Sequence, residues 1–303
     1  MPTENPLPLH MPRASTRYYR HRLPVRISHW INLLCLIVLL MSGLGIFNAH
    51  PTLYWGASSY SNEPAFLEIR SETVLAATDG QAPGGEAKPT QSGEKRGRLR
   101  IGGVEFDTTG VLGVSTSASG THNERAFPSW LTIPGAYSLA DSRLWHFFFA
   151  WLFVLNGFFY IAYTLLSGHL RRDLLPDGRD LRGIGASIIE HLRFKHPEGE
   201  AARRYNVLQK LAYLIVIFIL LPLIVVTGMA MSPMLNSLMT GWVDLFGGRQ
   251  SARSIHFIVA CLLLSFVLIH VFEVMVSGLW NHLRSMITGY YAIQSNPEKE
   301  PSS

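Results

Sequence analysis

The sequence predicts an all-α integral membrane protein: a four-transmembrane-helix bundle with a long external insertion, irregular or small-β, between helices 1 and 2. Three observations carry this reading. Charged residues make up 16% of the 303-residue chain, where about a quarter is usual in soluble proteins, and the mean hydropathy is +0.18. No Asp, Glu, Lys or Arg occurs between Arg26 and Glu63, Arg143 and Arg171, Lys210 and Asp244, or Arg253 and Glu273. Each gap holds a mostly apolar run of roughly 19 to 24 residues, long enough to cross a hydrocarbon layer of ~30 Å as a helix. Finally, basic residues crowd the ends of these runs, as they do beside a membrane.

The elements follow in order. Residues 1–27 are expected to form a cytoplasmic tail, loosely ordered over 1–20. Helix 1 is placed at 28–47. Its basic flank resembles that of a signal peptide. However, the run is longer than a usual h-region, lacks a small-x-small cleavage site and contains His29, so a retained anchor is expected. Residues 48–142 form a periplasmic insertion. Its middle, 76–98, is rich in Gly, Ala, Pro and Lys, a composition that reads as flexible. Next, 99–115 (LRIGGVEFDTTGVLGVS) alternates apolar and polar residues between glycines, which reads as a small β-hairpin. The stretch 126–137 (AFPSWLTIPGAY) reads as an aromatic belt at the outer surface. Helix 2 is placed at 145–166. A cytoplasmic loop, 167–209, has Ile184, Ile188 and Leu192 on one face of a short helix. Helix 3 is placed at 210–231, a periplasmic loop at 232–253, helix 4 at 254–277 and a cytoplasmic tail at 278–303, disordered after Tyr291.

The loop between helices 2 and 3 is dense in Arg and Lys, whereas the loop between helices 3 and 4 has only Arg249 and Arg253. Short basic loops stay inside and long segments cross regardless of charge, so both termini are expected in the cytoplasm. The same clustering explains the net charge of +5, and no nucleic-acid partner is expected. The two cysteines, Cys35 and Cys261, fall at opposite ends of their helices and read as small apolar thiols. There is no C-x-x-C-H for covalent c-type haem and no four-cysteine set for an iron–sulfur cluster.

Histidine carries the chemistry. His256 and His270 are fourteen residues apart in the uncharged run IHFIVACLLLSFVLIH. At ~3.6 residues per turn and ~1.5 Å rise, both lie on nearly one helix face, about 21 Å apart. Ionisable groups inside a membrane are costly and point to function, and imidazole is an axial ligand of haem iron. Helix direction puts His29 and His270 at one depth, near the inner surface. It puts His146 and His256 at another, near the outer surface. Two b-type haems, each between two imidazoles, are therefore the candidate cofactors. Arg26 and Arg143, at helix starts, are candidates for the haem propionates. Isolated polar residues bonded to neighbouring helices are the bland alternative. A proton relay is another, but it would favour Asp and Glu between the layers, and the helices offer only Glu273. His21 and His50 lie outside the apolar run. His169, His191, His196 and His282 flank the inner surface, and His10 and His122 fall in polar segments.

R-I-S-H-W at 26–30, L-W-H-F at 144–147 and H-x13-H in helix 4 resemble the bacterial di-haem cytochrome b family. That family includes the b-type cytochrome of nickel–iron hydrogenases, the gamma subunit of formate dehydrogenase, thiosulfate-reductase cytochrome b and bacterial cytochromes of the b-561 type. The resemblance covers the four helices. It implies that His29, His146, His256 and His270 hold two b haems. It also implies that electrons pass between a periplasmic redox subunit and membrane quinone. Asn32, Asn206, Glu273 and His282, at the inner rim, are candidates for a quinone region. The long insertion looks like those of cytochromes serving periplasmic molybdenum oxidoreductases. A stand-alone superoxide:quinone oxidoreductase, with Lys95, Arg96, Arg98 and Arg100 steering the anion, and a haem-free transporter are the alternatives.

Overall fold

The computed structural model describes residues 15–59, 64–74, 93–117, 120–192, 206–239 and 241–294. Four helices are long and apolar enough to cross a membrane. They are span 1 (Leu23–Phe47), span 2 (Leu139–Leu166), span 3 (Val207–Ala230) and span 4 (Arg249–Val276). Large apolar side chains stay exposed along them, such as Phe148, Phe158, Leu166 and Leu268, as expected of surfaces that face lipid. The chain is a helical membrane protein.

Spans 1, 2 and 4 begin five or six residues before the apolar runs do, because the first turn of each lies in polar sequence. In span 3, five residues from Val216 to Leu220 take up π geometry just before Pro222. A proline supplies no backbone donor and crowds the preceding turn, so a local widening of the helix is the expected response.

Among the described residues the strands, in chain order, are β1 (Ser15–Tyr19), β2 (Thr52–Leu53), β3 (Leu67–Val74), β4 (Glu94–Ile101), β5 (Val104–Asp107), β6 (Ser115–Thr116), β7 (His122–Asn123) and β8 (Tyr290–Gln294). The chain divides into two compact units, 1–30 with 157–219 and 264–303, and 31–156 with 220–263.

In the first unit, β1 pairs antiparallel with β8 from Ser15↔Gln294 to Tyr19↔Tyr290. The two ends of the chain, expected to be loose, are therefore joined at their inner margins; the stretches before residue 15 and after 294 lie outside the described residues. Asn281, on the helix Leu279–Thr288, fastens β8 by donating to the Ala292 carbonyl and accepting from its N–H. The Gly289 carbonyl accepts from the N–H groups of Arg20 and His21. His21 is buried there. Burial first, and then the charges of Arg20 and neighbouring histidines, push its imidazole down to about 3 from the ordinary 6.5. Above pH 6.5 the ring is neutral folded or unfolded and adds no pH dependence. As pH falls from 6.5 towards 3 the unfolded chain takes up a proton that the folded chain refuses. Stability is then lost at about 1.4 kcal/mol per pH unit. Thermal unfolding at pH 7 and pH 5 should differ more in the native protein than in His21→Gln; equal differences would remove His21 as the cause.

In the second unit, a core of Cys35, Val38, Phe149 and Phe153 is packed by Leu36, Leu152, Ile224 and Val225. The insertion adds a four-stranded antiparallel sheet, ordered β2-β3-β4-β5. The register explains why these residues form strands. One face carries Leu67↔Ile101, Ile69↔Leu99 and Leu99↔Phe106. It closes around Phe47, Leu53 and Ala126, with Phe257 of span 4 against them. The other face alternates charge: Arg70 bridges Glu68 and Glu105, Arg98 bridges Glu72 and Asp107, and Arg100 bridges Glu68. Residues 94–98, expected within the flexible stretch, are thus held in β4 by acidic partners on β3 and β5. Residues 76–92 lie outside the described residues. Gly97, on the apolar face, accommodates the turn that follows β5. The Thr108 N–H donates to the Gly97 carbonyl at 2.9 Å, and a Cβ on Gly97 would collide with the Leu112 carbonyl oxygen.

The sheet is fastened to the start of span 4. The Gly56 carbonyl accepts from the N–H groups of Gln250 and Ser251 at 3.1 Å each, satisfying two of the donors that a helix start leaves open. Ser254 donates to the Tyr54 carbonyl at 2.6 Å. Arg253 donates to Thr52, at 3.1 Å, and to the His50 carbonyl.

Candidate functional site

Each compact unit brings two imidazoles together, inclined edge to face. His29 of span 1 and His270 of span 4 have ring centres 6.4 Å apart and planes 60° apart. His146 of span 2 and His256 of span 4 have centres 6.3 Å apart and planes 61° apart. A metal–imidazole bond is ~2.0 Å and the ligating nitrogen lies roughly 1.1 Å from the ring centre, so two imidazoles on opposite sides of one metal have centres about 6.2 Å apart. A metal held by protein alone asks for three or more ligands. Among the described residues no three of His, Cys, Asp or Glu converge. A porphyrin iron brings four nitrogens of its own and needs only two axial ligands. The residues present therefore fit haem.

The surroundings of the His146–His256 pair define its chemistry further. Ser42 of span 1 donates its hydroxyl hydrogen to the Val38 carbonyl at 2.6 Å. Its oxygen lies 3.1 Å from Nδ1 of His146 and can only accept there. Thr227 of span 3 repeats this arrangement. It donates to the Leu223 carbonyl at 2.7 Å and lies 3.2 Å from Nδ1 of His256. The Ile224 carbonyl is a second acceptor for that Nδ1, at 2.9 Å. Acceptors at Nδ1 put the ring proton there and leave the Nε2 lone pair for a metal. Gly43 and Gly228 lie directly against the rings: a Cβ on either would stand 3.4 Å from Cε1 of His146 or 3.3 Å from Cε1 of His256.

The His29–His270 pair has aromatic walls. Phe266 stacks on His270 with centres 5.9 Å apart and planes 14° apart, and Tyr213 meets Phe266 edge-on. Trp30 stands perpendicular to His29 at 5.4 Å, and its indole N–H donates to the Met286 carbonyl at 3.2 Å. Nδ1 of His29 is buried with no hydrogen-bond partner among the described residues.

The remaining sequence candidates are scattered. Arg26 donates to the same Met286 carbonyl at 3.4 Å, and the Arg143 guanidinium lies 5.8 Å from the Phe147 ring centre. Asn32 accepts from Asn156 at 2.7 Å in the second unit. Asn206 caps the start of span 3, with Gln209 closing a capping box. The Glu273 carbonyl accepts from the Ser277 hydroxyl. His282 packs edge-on to Tyr291 at 5.3 Å. Asn32 therefore lies in a different unit from Asn206, Glu273 and His282. His169 pairs with Asp173 at 2.7 Å, and His10 and His196 lie outside the described residues. Sequence reasoning missed Ser42, Thr227 and Arg253. The signal for the first two was the repeated pair Ser42-Gly43 and Thr227-Gly228, each after a run of aliphatic residues.

The prokaryotic cytochrome b561 family model matches residues 20–289. A chain of Azospira oryzae named as a protein-methionine-sulfoxide reductase subunit, YedZ1, is 32% identical over 167 residues, covering 54% of this chain and 77% of that one. No solved structure matches. With a family match that takes in all four spans, the chain belongs to the prokaryotic cytochrome b561 family.

Proposed function

We propose that this protein is the di-haem membrane subunit of an oxidoreductase, carrying electrons between membrane quinone and a redox enzyme on the periplasmic side of the bacterial inner membrane. The single observation that carries the proposal is the recurrence of one imidazole spacing, 6.3 Å and 6.4 Å, in the two units. In this reading His146 and His256 hold one b haem and His29 and His270 the other. Haem, when bound, supplies reversible one-electron chemistry. The protein orients the ligands, excludes water with apolar walls and sets the potentials. Phe149 and Phe153 supply such walls in the second unit, and Phe266 and Tyr213 in the first.

The name of the Azospira relative supports a reductase as the kind of partner, and a periplasmic molybdenum oxidoreductase fits that class. The sheet of the insertion, on the His146–His256 side of the sequence, offers the partner a folded surface. The superoxide alternative needs free positive charge. Instead, Arg96, Arg98, Arg100 and Lys95 face Glu94, Glu72, Asp107, Glu68 and Glu124, so no observation favours it.

The proposal predicts two b haems per chain after purification in detergent, measured by the pyridine haemochrome spectrum, and their reduction by a quinol analogue. One haem, or none after reconstitution, would overturn the di-haem reading; two haems that no quinol reduces would overturn the quinone part.

A further inference from the structure

The surroundings of His146 and His256 repeat one device on two helices, and the proposed ligand roles leave it unexplained. Span 1 presents the Ser42 hydroxyl and then Gly43; span 3 presents the Thr227 hydroxyl and then Gly228. In each, the hydroxyl hydrogen is occupied by the carbonyl four residues earlier, Val38 or Leu223. In each, the glycine lies against Cε1 of the ring whose Nδ1 the hydroxyl meets. Ser42 and Thr227 are both 0% exposed, so no water competes for these oxygens.

We infer that Ser42 and Thr227 are matched positioning residues: each sets a hydroxyl acceptor beside a backbone carbonyl at the same Nδ1 (Leu39 for His146, Ile224 for His256), and together these acceptors fix the tautomer of the two imidazoles and hold down the reduction potential of the haem between them. The inference rests on the proposed ligand roles of His146 and His256. An N–H that donates to a fixed acceptor makes the opposite nitrogen a stronger electron donor. A stronger donor stabilises ferric over ferrous iron, which lowers the potential. The glycines keep the ring edges uncrowded: a Cβ at Gly228 would stand 3.3 Å from Cε1 of His256, slightly inside ordinary contact, and one at Gly43 would just touch His146 at 3.4 Å. Among the described residues no such acceptor meets the buried Nδ1 of His29, so the effect belongs to the haem between His146 and His256.

The test compares two substitutions at one position in the full-length purified protein. Thr227→Val keeps the branched shape and removes the hydroxyl; Thr227→Ser keeps the hydroxyl and removes a methyl. Redox-monitored optical titration should show one midpoint raised in Thr227→Val. The expected shift is about tenfold in the ferric-to-ferrous binding ratio, the low end of what losing such a partner costs a metal site, or about 59 mV for one electron. The second midpoint should stay in place, and Thr227→Ser should titrate like the native protein. Combining Thr227→Val with Ser42→Ala should enlarge the shift at that same midpoint. Loss of one haem in Thr227→Val but not in Thr227→Ser would also support the role. Equal behaviour of the two substitutions, whether no shift, the same shift or the same loss of haem, would overturn it. A native protein that binds no haem would instead overturn the underlying ligand assignment.

Discussion

His256→Ala should lower the haem content from two per chain to one, and a redox titration of the variant should retain a single midpoint. The effect is large because an imidazole supplies one of only two protein bonds to the iron, and alanine leaves an apolar gap that no neighbour fills with a donor. The second acceptor at Nδ1, the Ile224 carbonyl at 2.9 Å, loses the ring N–H but keeps the Thr227 hydroxyl at 3.1 Å. His146→Ala should remove the same haem, because the two rings are 6.3 Å apart. His29→Ala and His270→Ala should remove the other. The double variant His146→Ala/His256→Ala discriminates: paired ligands predict the same loss as either single change. Additive loss, or unchanged content in any single variant, contradicts the pairing.

Gly97→Ala should disrupt the external sheet and leave both haems bound. Gly97 pairs with Ser71 in the centre of the sheet, and the Leu112 carbonyl and the Val114 N–H cross directly over it. A Cβ would stand 3.0 Å from the Val114 nitrogen and closer still to the Leu112 oxygen. Both neighbours are backbone, so neither can rotate away. The expected cost is about 3 kcal/mol, the upper end of the range for overpacking. Limited proteolysis should cut the insertion of the variant at concentrations that leave the native protein intact, while the reduced optical spectrum is unchanged. A variant as protease-resistant as the native chain would show that the turn after β5 does not lie across β4.

Much of this architecture was legible because hydropathy and imidazole spacing are one-dimensional signals. The gaps in charge marked all four long helices, although each helix begins a few residues before the apolar run does. Span 4, for example, opens at Arg249 rather than 254. An apolar count senses where hydrocarbon begins, while the helix begins where its N–H donors find a cap. The rings that depth alone pairs are the rings found side by side. Other features depend on contacts between distant residues, which no local pattern announces. The β1–β8 pairing joins Tyr18 to Tyr291, and neither strand carries the apolar alternation that marks a buried face. Asn206, offered for the quinone region by its place at the rim, also carries a capping signature, Asn-x-x-Gln before an apolar run, and it caps span 3. Ser42 and Thr227 escaped because a hydroxyl followed by glycine is too short a repeat to notice before the histidines opposite are known.

The fastening of β2 to the head of span 4 has a mechanical consequence. Thr52 and Tyr54 are gripped by Arg253 and Ser254, three and two residues before His256. A displacement of β2 would therefore be passed, through two backbone carbonyls held by these side chains, to the turn of helix that carries this imidazole.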